Sequence, residues 1–307
     1  MWRKILAAVL VMVMVLSFVS CNNMPSVAEV IGGMEGAAGD ITSVSCDMDA
    51  SLNMDVDAGD ESVYVDAAVS MSSVMDIENT QMQMEADINF TSAEGEGSDS
   101  SISMDIAVAF YLLDDMAYMM LDEPFSGATW ESQQLQPEDI QQMEEMLGGQ
   151  LNPAGMQDFL MEIADVVLDG KDDINGVSCY RLKLALDADK VEQKIVQLDQ
   201  ESGGSMSLED IDREMLDKVI QGISITQWVA EDTYYTMKVQ VTIDIELAPE
   251  DIGYAEEAES IVINASFEAL FYDYNEPVNI VLPPEAEEAA GMMSSPMKVD
   301  MTLMTAG

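Results

Sequence analysis

The chain has 307 residues, 48 % of them hydrophobic, with 59 Asp and Glu against 11 Lys and Arg, no histidine and a formal net charge of −48. That is ample length for a packed core and too much apolar sequence for a disordered chain. The charge excludes partners that are themselves polyanions, nucleic acid first among them. The missing histidine removes nucleophilic catalysis through a histidine base, and among 59 acids a pair of carboxylates carries no signal. No enzyme and no cofactor are expected.

In chain order, Trp2-Arg3-Lys4 is a short basic segment, and Ile5 to Val19 is almost unbroken apolar sequence, short for a membrane span. "FVSC", residues 18–21, then leads into Asn22 and Asn23. It resembles a bacterial lipobox. The resemblance implies cleavage before Cys21, a diacylglyceryl thioether on its sulfur and an acylated amino group, a firm membrane anchor. An ordinary cleaved secretory signal and an uncleaved anchor helix are the alternatives, and all three place the body of the protein outside the cytoplasm. Residues 22–39 read as a tether with a possible first helix. The other cysteines, Cys46 and Cys179, either pair in such a compartment or stay free and buried. No CxxC and no Cys/His cluster offers zinc ligands.

Strand patterns begin at Val44. In "CDMDASLNMDVD", residues 46–57, even positions are apolar or small and odd positions polar, the period of a strand with one dry face. Val63 to Ile77 continues on odd positions, Met82 to Phe90 on even ones, and Ile102 to Leu112 on even ones again, with polar turns at 58–62, 78–80 and 92–100. "LDD" then turns into "MAYMML", residues 116–121. This reads as an antiparallel meander of long strands in a large curved sheet. "DVDAGDE", residues 55–61, starts like a calcium loop, but Gly59 stands where an oxygen ligand belongs, so it reads as an acidic hairpin turn and no metal site is expected.

The period then changes. Pro137 to Leu147 and Pro153 to Leu168 carry helical stripes, the second through Met156, Phe159, Leu160, Ile163 and Val167. Tyr180, Leu182, Leu184 and Leu186 mark a strand. Ala188–Leu198 and Ser207–Ile220 read as helices, Ser207 as a cap. Strands return at Ile223–Val229, Tyr235–Leu247 and Ile261–Phe271. Residues 275–289 read as a short strand and a proline stop, and the tail from 291 has little pattern. The layout is one α+β domain, residues 41–290. Methionine is abundant, 27 residues, and many of them fall on the apolar faces, where they either fill a core or adapt to an irregular ligand.

Three segments carry a family resemblance: "FYLLDDMAYMMLDEPFSGATWESQQL" (110–135), "LDGKDDINGVSCYRLKLAL" (168–186) and "FYDYNEPVNIVLPPEA" (271–286). Their order is similar to that of the LppX/LprG group of lipoproteins, within the LolA-like superfamily. The resemblance implies a half-barrel of antiparallel strands whose concave side is closed by helices, an apolar cavity between them for acyl chains, and no catalytic residues. On that basis the expected function is a non-catalytic, membrane-anchored carrier of a lipid-like ligand. Its expected lining is Met48, Leu52, Met54, Val69, Met71, Met84, Ile88, Met104, Ile106, Val108, Phe159, Ile163, Val239 and Val241. The alternative is a structural or interaction lipoprotein with a filled core and a polyanionic surface. A third option is an acidic protein that buffers cations. The sequence names no protein partner.

Overall fold

A computed structural model describes residues 24–58, 61–94, 101–136, 160–201, 213–248 and 260–291. The strands are β1 (Ser43–Ala58), β2 (Glu61–Asp76), β3 (Gln81–Glu94), β4 (Ser101–Leu113), β5 (Met116–Glu123), β6 (Gly127–Gln134), β7 (Ala164–Ile174), β8 (Val177–Leu186), β9 (Ile223–Ala230), β10 (Thr236–Leu247) and β11 (Ser260–Tyr272). They form one open, curved antiparallel sheet in the order β6-β5-β4-β3-β2-β1-β11-β10-β9-β8-β7. Two meanders, β1–β6 and β7–β11, thus meet where the first strand pairs with the last. Tight turns set the hairpins. Asp114 and Asp115 both adopt left-handed backbone (φ 48° and 65°), as do Asn175 and Gly176 (φ 53° and 87°), the geometry that suits two-residue hairpin turns.

The helices are α1 (Val27–Ala38), α2 (Ala188–Glu201), α3 (Arg213–Gln221) and α4 (Pro284–Gly291). Helix α1 starts at a capping box, in which the Ser26 hydroxyl accepts from the Glu29 amide at 3.2 Å and the Glu29 carboxylate accepts from the Ser26 amide at 2.7 Å. Val30 and Met34, one turn apart on one stripe, are buried against Leu160, Ile163, Tyr180, Leu182, Leu184, Ile225 and Val229. The face of the sheet that α1 covers at β7–β9 is called inner below. Register carries the same face from Ile225 through Val241 and Phe267 to Ala50 and Val69. Helix α4 lies on the opposite, outer face. Ala286 is fully buried there with Ala109, Tyr111 and Tyr118, beside Met120 and Trp130.

The strands expected from alternation form, each within a few residues of its expected limits. The differences have physical causes. The helix expected over 153–168 ends at residue 163 within the described residues, and Ala164 onward is strand. Val166 and Leu168 pair with Leu184 and Leu182 across the ladder, and a register shift between Leu168 and Lys171 lets the strand continue. The adjacent β-branched pair Val166-Val167 favours this outcome, whereas the helical stripe coincided with it by spacing. Residues 127–134, Trp130 among them, form β6, a strand beyond those expected from alternation. Residues 277–283 form no strand, and the proline stop begins α4, with Pro284 at its first position and Glu285 and Glu287 in its first turn. The expected helix at 137–147, the Ser207 cap and the tail beyond 291 lie outside the described residues.

Candidate functional site: the inner face of the sheet

Alternation places every second residue of the central strands on the inner face, and register aligns them into rows. One row runs Val239, Ala269, Met48, Met71, Ala86, Val108; the next runs Val241, Phe267, Ala50, Val69, Ile88, Ile106. Above them, Leu52 pairs with Ala265 and Ala67, which leads to Phe90 and Met104. None of these positions is charged. The intervening residues, such as Asp47, Asp49, Asp87 and Asp105, carry the acidity on the outer face.

Burial along this face is graded. At the end where β1 begins, Val44, Cys46, Met75, Val239, Ala269 and Phe271 form a filled core. Farther along, eleven of the expected lining residues (Met48, Leu52, Met54, Val69, Met71, Met84, Ile88, Met104, Ile106, Val108 and Val241) are only half-buried. At the far end Val63 is 37 % and Ile102 63 % exposed. On β10 the far end is instead closed, with Ile245 and Leu247 buried, so the open corner lies on β2 and β4. Alanines at positions 50, 67, 86 and 265 leave troughs between the long methionine side chains.

Register therefore brings the expected β1–β4 and β10 residues together on one face. Two of the fourteen serve differently. Ile163 is buried under α1 in the filled core of β7–β9, and Val239 belongs to the packed end. Phe159 and Cys21 lie outside the described residues. Phe267 and Ile263 of β11 share the face and were not among the expected lining, although their alternation with Asn264 and Glu268 was readable.

Elsewhere on the sheet, charged side chains pair with one another. On the outer face of β7–β9, Trp228 Nε1 donates to Asp172 at 2.8 Å, Arg181 donates to Asp172 at 2.9 Å, and Lys183 pairs with Asp169 at 2.8 Å. The Lys183 hydrogen bond holds the Asp169 carboxyl below its usual range. Lys171 and Ser178 do the same for Glu231. A cavity of about 400 Å³ on the outer face lies over Ser51, Ala68, Ser70 and Ser266 beside Asp49 and Glu268. Another of about 460 Å³ sits among the turns at Glu78–Gln81 and Asp114-Asp115. Both are polar. Among the described residues no group of side chains is arranged to hold a metal ion, and no helix is long and apolar enough to cross a membrane. Cys46 and Cys179 are free and buried. They point from opposite faces, and β11, β10 and β9 separate their strands, roughly 19 Å at the usual strand spacing, far beyond disulfide reach.

The profile of a family of unknown function, DUF6612, matches residues 26–291. No curated protein matches the sequence. Solved structures similar to the chain include the lipoprotein LppX of Mycobacterium tuberculosis (12 % identity, TM-score 0.33, covering 83 % of this chain and 100 % of that one). LprF from Mycobacterium bovis aligns with 14 % identity and a TM-score of 0.34 over 85 % of this chain and 99 % of its own. A DUF1329 family protein from Desulfovibrio piger aligns at 11 % identity and 0.19 over 82 % and 92 %. Scores this low carry no argument about function.

Proposed function

The chain belongs to the DUF6612 family, which has no known function, and from its geometry we propose that it is a non-catalytic, lipid-anchored extracytoplasmic protein that holds an acyl lipid or similar hydrophobic ligand against the inner face of its sheet. One observation carries the reading: a charge-free, methionine-rich lane across β1–β4, β11 and β10, half-buried in the middle of a long sheet and packed shut at one end. In a chain of net charge −48, leaving such a lane bare to water is costly. Covering the remaining surface of eleven such side chains contributes about 10 kcal/mol at roughly 1 kcal/mol each, before the cost of ordering the ligand. Binding and release need no bond chemistry. The lipobox-like "FVSC" supports anchoring through Cys21, with residues 1–20 as the removed signal and 41–290 as the carrier domain.

Organic extraction of the purified protein followed by mass spectrometry tests this. The expected result is a co-purifying lipid in near-stoichiometric amount and, from delipidated protein, saturable uptake of a fluorescent acyl probe. Protein that is both lipid-free and unable to take up the probe contradicts the proposal and favours a filled-core surface lipoprotein. That second reading draws on the outer face of β1–β3, where Asp47, Asp49, Asp55, Asp66 and Asp87 stand in rows.

A further inference from the structure

The open corner of the inner face lies in the half of the chain that has no cations. Between Lys4 and Lys171 there is no lysine or arginine, so strands β1–β6 carry only acidic charge. The exposed apolar side chains Val63 and Ile102 stand at this corner, and Phe125, 92 % exposed, tips the β5–β6 turn at the same end of the sheet. Glu123 shares the inner face at this end, and Asp55, Asp57, Asp66, Asp105 and Asp122 stand on the opposite face of the same strands. Across the sheet at that end, cations of α2 and α3 are already committed to carboxylates: Lys190 to Asp165 at 2.6 Å, Lys194 to Glu162 at 2.5 Å, and Arg213 to Asp189 and Glu192 at 2.6 and 2.7 Å.

A chain inserted into the lane puts its apolar end toward the packed core of Val44, Cys46 and Phe271. Its polar end then sits at the open corner. An anionic headgroup there faces Glu123 and, through the sheet, the field of the carboxylates on the opposite face, with no cation among the described residues of β1–β6 to offset them, whereas a neutral or cationic one meets no penalty. We propose that the lane selects acyl lipids whose headgroup carries no net negative charge, and that the corner formed by Val63, Ile102 and the β5–β6 turn is its mouth. This rests on the lipid-holding reading above and adds the class of ligand.

The test compares three probes of one chain length, each below its aggregation threshold: a monoacylglycerol, an alkylammonium and a fatty acid at a pH where it is ionised. Each displaces a fluorescent monoacylglycerol from the delipidated full-length protein. At low salt the fatty acid is expected to bind about tenfold or more weaker than the monoacylglycerol, and the gap is expected to close near 1 M salt, where screening is nearly complete. Ile102→Lys, a change at an exposed position, is expected to shift the ratio toward the fatty acid by several-fold. Equal or tighter binding of the fatty acid in the wild type, or a ratio unmoved by Ile102→Lys, overturns the headgroup selection while the lipid-holding reading stands. Failure of all three probes to bind overturns both.

Discussion

Tyr274 and Asn275 tie the last strand to the first. The Tyr274 hydroxyl donates to the Thr236 carbonyl, and its ring stacks on Tyr235 with centroids 4.5 Å apart. Asn275, in left-handed backbone at φ 59°, accepts from the Thr42 amide at 2.7 Å and hydroxyl at 3.0 Å, and donates to the Tyr235 hydroxyl at 2.9 Å. The "YN" of the closing motif is therefore a clamp across β1, β10 and β11. Asn275→Ala loses these bonds and adds backbone strain, and is expected to cost about 2 kcal/mol in denaturant unfolding. Burial, and then Asp47, push the Cys46 thiol up to about 12, and burial pushes Cys179 up to about 11, from 9.0. A thiol raised in the folded state keeps its proton where the unfolded chain loses it. Its stabilisation is complete below about pH 9 and fades as pH rises toward 11–12. Unfolding midpoints are expected to fall over that window, less steeply in Cys46→Ala, and both native thiols are expected to resist alkylation at pH 8 until denaturant is added.

At the scale of elements, Gly222 joins α3 to β9 where a Cβ would strike the Asp244 carbonyl oxygen, backbone that cannot swing aside. Gly222→Ala is expected to lower stability by about 2 kcal/mol. Met34→Ala, which hollows the contact of α1 with β7–β9, is expected to cost about 2–4 kcal/mol, and Ser26→Ala at the cap of α1 about 1 kcal/mol. Calorimetric melting separates these. The strands with a strict apolar/polar alternation could be read from the sequence, because one wet face and one dry face leave a period of two. Strand β6 could not: its inner positions Thr129, Glu131 and Gln133 are polar, and Trp130 packs on the outer face under α4 and residues 280–282. Helix α4 was hidden behind its own prolines. The β7 error came from extending the helical stripe of Leu160 and Ile163 by spacing to Val167, which is an exposed residue of the strand, while Val166 and Leu168 face the core.

For the whole molecule, adjacency of β1 and β11 was invisible locally, since register between strands more than 200 residues apart is set by the closing clamp and not by pattern. The dry face was legible residue by residue from β1 to β4. What the alternation did not distinguish was a filled end from an open one, because both are apolar and only burial separates Cys46 from Met54. Charge acts at this scale too. With −48 on 307 residues, self-repulsion exceeds what the paired surface cations return, each such pair being worth about 0–1 kcal/mol. Raising salt from about 0.01 M to 0.5 M is therefore expected to increase the melting temperature. The most direct test of the account is photo-crosslinking of a diazirine-bearing monoacylglycerol to the delipidated protein, with labelled peptides located by mass spectrometry. The account predicts label on inner-face positions of β1, β2 and β4, among them Met54, Met71 and Met104, in competition with unlabelled lipid. Label confined to the outer face, or label that excess lipid fails to displace, would contradict it.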